Sequence, residues 1–171
     1  MRAVLRAPSY AAALAESRRL DNKGLSKKAF TIVPEIAEVD DLLTHDLRAR
    51  EMLREVHPEL CFWSFAGQRA MVHPKKTLAG FDERMAILAT LLPHADAIVS
   101  DALNCYRRRD VARDDVVDAL VVLCAAIAPV SLLRSIPAIA GIDSHGLSME
   151  IIYAARPVDD GQADRSINQD R

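Results

Sequence analysis

Three carboxylates, Asp114, Asp115 and Asp118, open a segment that continues as Ala119-Leu120-Val121-Val122-Leu123-Cys124-Ala125-Ala126. Offsets of three and four place Asp118 on one helical face with each of the other two. Like charges at that spacing repel by roughly a few tenths of a kcal/mol. Burying Asp118 adds a larger cost unless a positive group sits beside it. A divalent cation meets that need, because hard cations take carboxylate oxygens. A plainer reading stands next to this one. Acids in a first helical turn favour the macrodipole, and Asp is a good N-cap. That covers Asp114 and Asp115, but it covers Asp118 poorly, a turn deeper among apolar neighbours.

Glu55 is the other acid of interest, since it lies at the end of a strand expected over residues 52–56. Together with Asp115 and Asp118 it would form a three-carboxylate cluster drawn from distant parts of the chain. Such clusters bind Mg²⁺ or Mn²⁺, and two-metal sites hydrolyse phosphodiesters. The alternative is a surface glutamate flanked by Arg54, paired or merely solvated. Lys75, Lys76 and Arg84 are cations suited to a phosphate backbone, against which stands an ordinary solvated basic loop. Of the five histidines, His57 alone sits suggestively, beside Pro58 and near Glu55, and it titrates near neutral pH. None of the five has metal-ligand spacing. The run Arg107-Arg108-Arg109 reads as a solvated connector. The chain has no glycine-rich phosphate loop and no Gly-x-Ser-x-Gly elbow, which removes support for nucleotide-triphosphate and serine-hydrolase chemistry.

These residues need elements to hold them. A chain of 171 residues, half of them hydrophobic, suffices for one domain with a proper core, expected over 1–156, before a polar tail at 157–171 expected to be disordered. The net charge of −2 gives no global basic field. Cys61, Cys105 and Cys124 lack disulfide or zinc spacing and are expected as buried, reduced thiols of a cytoplasmic protein. Residues 1–8 lack the long apolar run of a signal peptide. The longest apolar run, 119–133, is broken by Pro129 and falls short of the ~20 residues of a membrane span.

An extended piece is expected over 1–7. Ser9 and Ser26 read as N-caps, and Pro34 either kinks a helix over 27–43 or begins a second one. A short helix follows Pro58. Thr77 caps another over 78–92, and 94–105 offers a further one. Residues 136–139 and 149–153 are candidate strands of an edge hairpin, split by the turn-rich stretch 141–146.

Several motifs occur in order: Gly24-Leu25-Ser26-Lys27-Lys28, residues 36–40, Glu55-Val56-His57-Pro58-Glu59 with Phe62, Lys75-Lys76-Thr77, Asp114-Asp115-Val116-Val117-Asp118-Ala119-Leu120, and Gly146-Leu147-Ser148-Met149-Glu150-Ile151. In these the chain resembles the family of predicted RNase H-like nucleases, domain of unknown function 429, over roughly 1–154. The resemblance implies an α/β, RNase H-like fold, a mixed sheet flanked by helices. It implies a metal-dependent nuclease whose acids fall on Glu55, Asp115 and Asp118, with Asp114 a lesser member. Mg²⁺ or Mn²⁺ would be the cofactor and nucleic acid the partner, with Lys75, Lys76 and His57 toward substrate. RNase H-like domains begin with a strand bearing a first aspartate, and nothing in residues 1–20 supplies it. The expectation is therefore an N-terminally truncated, helix-rich version whose strand at 52–56 has an uncovered edge, an invitation to self-association. The alternative is a non-catalytic remnant or binding module of the same fold.

Overall fold

Ser9, Ser26 and Asp46 each accept a backbone N–H from three residues further on, at 3.3, 2.9 and 3.0 Å, and each opens a helix. The structure, a computed structural model, describes residues 2–156, so the expected tail at 157–171 lies outside the described residues. The described residues cluster into two compact units. One is residues 2–53 with 142–148, the other residues 54–141 with 149–156.

The first unit holds α1 (Arg2–Leu5), α2 (Tyr10–Asp21), α3 (Lys27–Thr31), α4 (Val33–His45) and α5 (Leu47–Met52). The extended piece expected over 1–7 is instead the helical turn α1. It is tied down by Arg2, which ion-pairs with Asp40 at 2.6 Å and Asp143 at 2.5 Å, and by buried Val4. Pro34 falls in the first turn of α4, where a missing N–H costs nothing, so the segment is two helices rather than one kinked one.

The expected strand at 52–56 is corrected. Leu47, Arg48, Ala49, Arg50, Glu51 and Met52 are all good helix formers behind the Asp46 cap, and helix α5 runs through Met52. Only Val56 pairs like a strand, in a single parallel bridge to Ile152. The long uncovered edge expected there is not formed.

The second unit holds α6 (Pro58–Phe65), α7 (Leu78–Leu91), α8 (Ala95–Cys105), α9 (Arg113–Ala126), a 3₁₀ turn (Val130–Leu132) and, apart from their end residues Ile142 and Ser148, β1 (Leu133–Ile142) and β2 (Ser148–Ala154). The expected hairpin is present and longer than its sequence signal. Its strands form a two-stranded antiparallel sheet, so the fold among the described residues is mixed α/β and rich in helix. Helix α9 packs against α6, α7 and α8. Phe62, Leu88, Val117, Val121 and Cys61 are wholly buried at the centre of that packing. Ser64 Oγ anchors β2 to it by donating to the Ala154 carbonyl at 2.8 Å. Burial, reinforced by Cys124, pushes the Cys61 thiol up to about 11. Cys124 is buried as expected, whereas Cys105, at the end of α8, is exposed. Among the described residues, no helix is long and apolar enough to cross a membrane.

Replacing Phe62 with alanine is expected to destabilise the protein by about 3–5 kcal/mol in urea unfolding. Ile139, 89% exposed on β1, is expected to tolerate the same change within about 0.5 kcal/mol.

Candidate functional site

The three aspartates at the start of α9 meet different fates. Asp115 turns back on its own helix, where its Oδ2 accepts the Ala112 N–H at 3.0 Å. It is exposed and serves the helix end, as the plainer reading of the sequence has it. Asp114 and Asp118, four residues apart, share the face that meets Lys75. The Lys75 ammonium lies 2.7 Å from Asp118 Oδ2 and 3.7 Å from Asp114 Oδ2. Both carboxylates are more than four-fifths buried. The second oxygen of Asp118, Oδ1, is fully buried and has no hydrogen-bond partner among the described residues.

Lys75 reaches this point because its loop is fixed from below. The Glu83 carboxylate accepts the N–H groups of Val72 and His73 at 2.8 and 3.0 Å. Thr77 Oγ1 caps α7 by accepting the Gly80 N–H at 3.0 Å. Gly80 lets the loop lie directly on the first turn of α7, since a Cβ there would stand 2.1 Å from the Pro74 carbonyl oxygen. Arg84, 3% exposed, donates to the His73 and Gly80 carbonyls and grips both oxygens of Glu59 at 2.7 and 2.9 Å. Its guanidinium also lies over the Phe62 ring, 5.6 Å from the centroid. Arg84 is thus fully engaged as a brace between α6, α7 and the loop, and not a free phosphate ligand.

The hydrogen bond to Asp118 holds the Lys75 ammonium above its ordinary range, against partial desolvation and with help from the charges of Asp118, Asp114 and Glu59. Glu83 is held below the usual carboxylate range, chiefly by the Val72 N–H and also by that of His73. Beside Lys75 opens a cleft of about 530 Å³ lined by Glu59, Trp63, His73, Lys75 and Arg84, with residues 70–72 and Pro74. Trp63 stands edge-on to Tyr153 at 6.0 Å.

The other expected site residues do not join this arrangement. Glu55 is exposed, and its backbone carbonyl accepts the Ile152 N–H at 2.7 Å. His57 and Lys76 are exposed and do not line the cleft. Among the described residues, no three His, Cys, Asp or Glu side chains gather to hold a metal ion, so Glu55, Asp115 and Asp118 do not form the expected cluster. The strand meant to carry Glu55 is not formed, and Asp115 is spent on the helix end. Glu59 and Trp63 line the cleft without a clear sign in the sequence. The partner of Glu59 is 25 positions away, and Trp63 sits among the bulky residues of the short helix after Pro58.

Asp118 offers a buried oxygen without a partner, and Asp114 a second carboxylate on the same face. Mg²⁺ is commonly held by one or two carboxylates, with water and substrate phosphate completing its shell. The pair fits that pattern.

Fold and site together define a helix-rich mixed α/β protein with a sunken aspartate pair countered by one lysine. The family model described as protein of unknown function (DUF429) matches residues 1–138, and the chain belongs to that family. Searches of curated proteins and of solved structures found no match.

Glu83→Gln is expected to lower stability by about 1 kcal/mol at pH 7 by weakening the anchor of the Lys75 loop. A carboxylate with a depressed folded pKa contributes fully above its unfolded value of about 4.3 and loses that contribution as pH falls through the folded value. The gap between wild type and variant in urea midpoint is therefore expected to shrink below about pH 4.

Proposed function

We propose that this protein is an RNase H-like, metal-dependent nuclease that hydrolyses phosphodiester bonds in nucleic acid in the cytoplasm. The observation that carries the reading is the buried, unpartnered Oδ1 of Asp118 beside Asp114, on the helix bearing the Asp-x-x-Asp-Ala-Leu motif. Asp118 and Asp114 are the residues that would hold Mg²⁺ or Mn²⁺. When bound, such an ion supplies Lewis acidity toward a phosphoryl oxygen and lowers the pKa of a bound water. The chain's own residues do the rest. The apolar packing of Val117 and Val121 fixes the carboxylates at the rim of the core. Lys75 brings positive charge to the cleft where a phosphate would lie, while Lys76 and His57, outside its lining, enter this reading through their motifs alone. Glu55 and Asp115 enter this reading through their motifs alone.

A second reading is favoured by a specific observation. No third acid joins the pair among the described residues, and Lys75 already counters it. On that reading the chain binds ligands without chemistry.

The experiment pairs a nuclease assay on single- and double-stranded oligonucleotides with thermal unfolding in Mn²⁺. The nuclease reading expects cleavage that depends on Mg²⁺ or Mn²⁺ and drops about 100-fold in Asp118→Asn. It also expects Mn²⁺ at about 100 times its Kd to stabilise the wild type by about 2.7 kcal/mol, and Asp118→Asn much less. Stabilisation without cleavage supports the binding module. The absence of both effects defeats the metal site altogether.

A further inference from the structure

We infer that Lys75 is an exchangeable counter-ion: a divalent cation displaces its ammonium from Asp118, and the freed ammonium binds a phosphate group in the adjacent cleft, so that cation and anion bind cooperatively. This inference rests on the metal-site reading above and adds to it the role of Lys75.

Charge balance is the first argument. Among the described residues, the two largely buried carboxylates share a single ion-pair partner, the Lys75 ammonium. The arrangement satisfies one oxygen of Asp118 and leaves the other buried with none. A buried anionic oxygen without a partner is costly. A doubly charged cation balances both carboxylates, where the ammonium balances one.

The second argument is mechanical. The backbone around Lys75 is pinned by Glu83, Arg84, Thr77 and the contact of Pro74 with Gly80. Its side chain is 37% exposed and carries a flexible four-carbon stem. The ammonium can therefore swing while the loop stays in place.

The third argument is where it swings. Lys75 lines the cleft as well as meeting the acid pair. Glu59 is the acidic residue in that lining, and Arg84 already grips both its oxygens. A displaced ammonium thus faces a cleft whose carboxylate is taken. Lysine binds phosphate as a point charge, so a phosphate group is the chemistry that receives it. The coupling is reciprocal: the cation tightens the anion by the factor by which the anion tightens the cation.

The test is isothermal titration of the full chain with Mn²⁺, with inorganic phosphate, and with a hydrolysis-resistant phosphorothioate hexathymidylate, alone and together. In the wild type, Mn²⁺ is expected to tighten phosphate-group binding by about tenfold, within the usual range of coupling between sites. The two anions tell a free phosphate from a nucleic-acid backbone as the source of that group. Lys75→Gln is expected to bind Mn²⁺ alone about tenfold tighter than wild type, because no competitor remains. It is expected to match the wild type for anions without Mn²⁺ and to fall below it with Mn²⁺. The exchange is overturned if Lys75→Gln binds Mn²⁺ no tighter than wild type. It is equally overturned if the variant weakens anion binding to the same degree with and without the metal. Lys75→Met, which keeps most of the stem, gives the same comparison if the glutamine variant does not fold. Hydrolysis plays no part in the readout. Cooperative binding without cleavage keeps the exchange and loses the nuclease. Cleavage with unchanged Mn²⁺ affinity in Lys75→Gln does the reverse.

Discussion

Helix α9 buries one face along its whole length and gathers its acids at the N-terminal end of that face. Val116, Val117, Leu120, Val121, Cys124 and Ala125 are all buried. Three helices cover them, and the aspartates collect at the first turn and a half. Asp118 lies at the boundary, close enough to the core that one of its oxygens loses water and finds nothing in exchange. An acid in that position requires a cation nearby. The fold provides one through a loop 43 residues earlier in the chain.

The unit contains a second sunken charge, and the contrast is informative. Arg84 is more deeply buried than Asp118, yet it is surrounded by acceptors: two carbonyls, both oxygens of Glu59 and an aromatic face. A fully satisfied buried charge is a fastening. A half-satisfied one retains affinity for something further. Both are served by the same loop, because Arg84 holds the backbone of His73 and Lys75 projects two residues on. The rigid part and the adaptable part of the site are therefore adjacent.

Much of this was legible in the sequence where the signal was local. Ser9, Ser26 and Thr77 cap the helices their positions imply, and the hairpin lies where the turn-rich stretch puts it. Asp118 stood out because an acid among valines and leucines needs a reason. The failures have local causes as well. The strand at 52–56 competed with six good helix formers behind Asp46, and helix propensity took all but Val56. At 1–7, Arg2 found two carboxylates far along the chain and held a helical turn that no nearby residue advertises. The grouping of acids was harder to read. Spacings of three and four both suit a helix face, and sequence alone does not show that Asp115 would serve the helix end and Asp114 the lysine. The Glu59–Arg84 grip spans two helices and leaves no periodic trace.

Gly80 carries no charge of its own, yet it governs the distance between the acid pair and the ammonium. The carbonyl of Pro74 occupies the space a methyl group would need. Any larger residue at 80 must lift the loop, and the ammonium would rise with it. Electrostatic tuning here is thus delegated to an uncharged position. Inherited variation at that glycine would alter the ionic balance of the cleft while every charged residue remained in place.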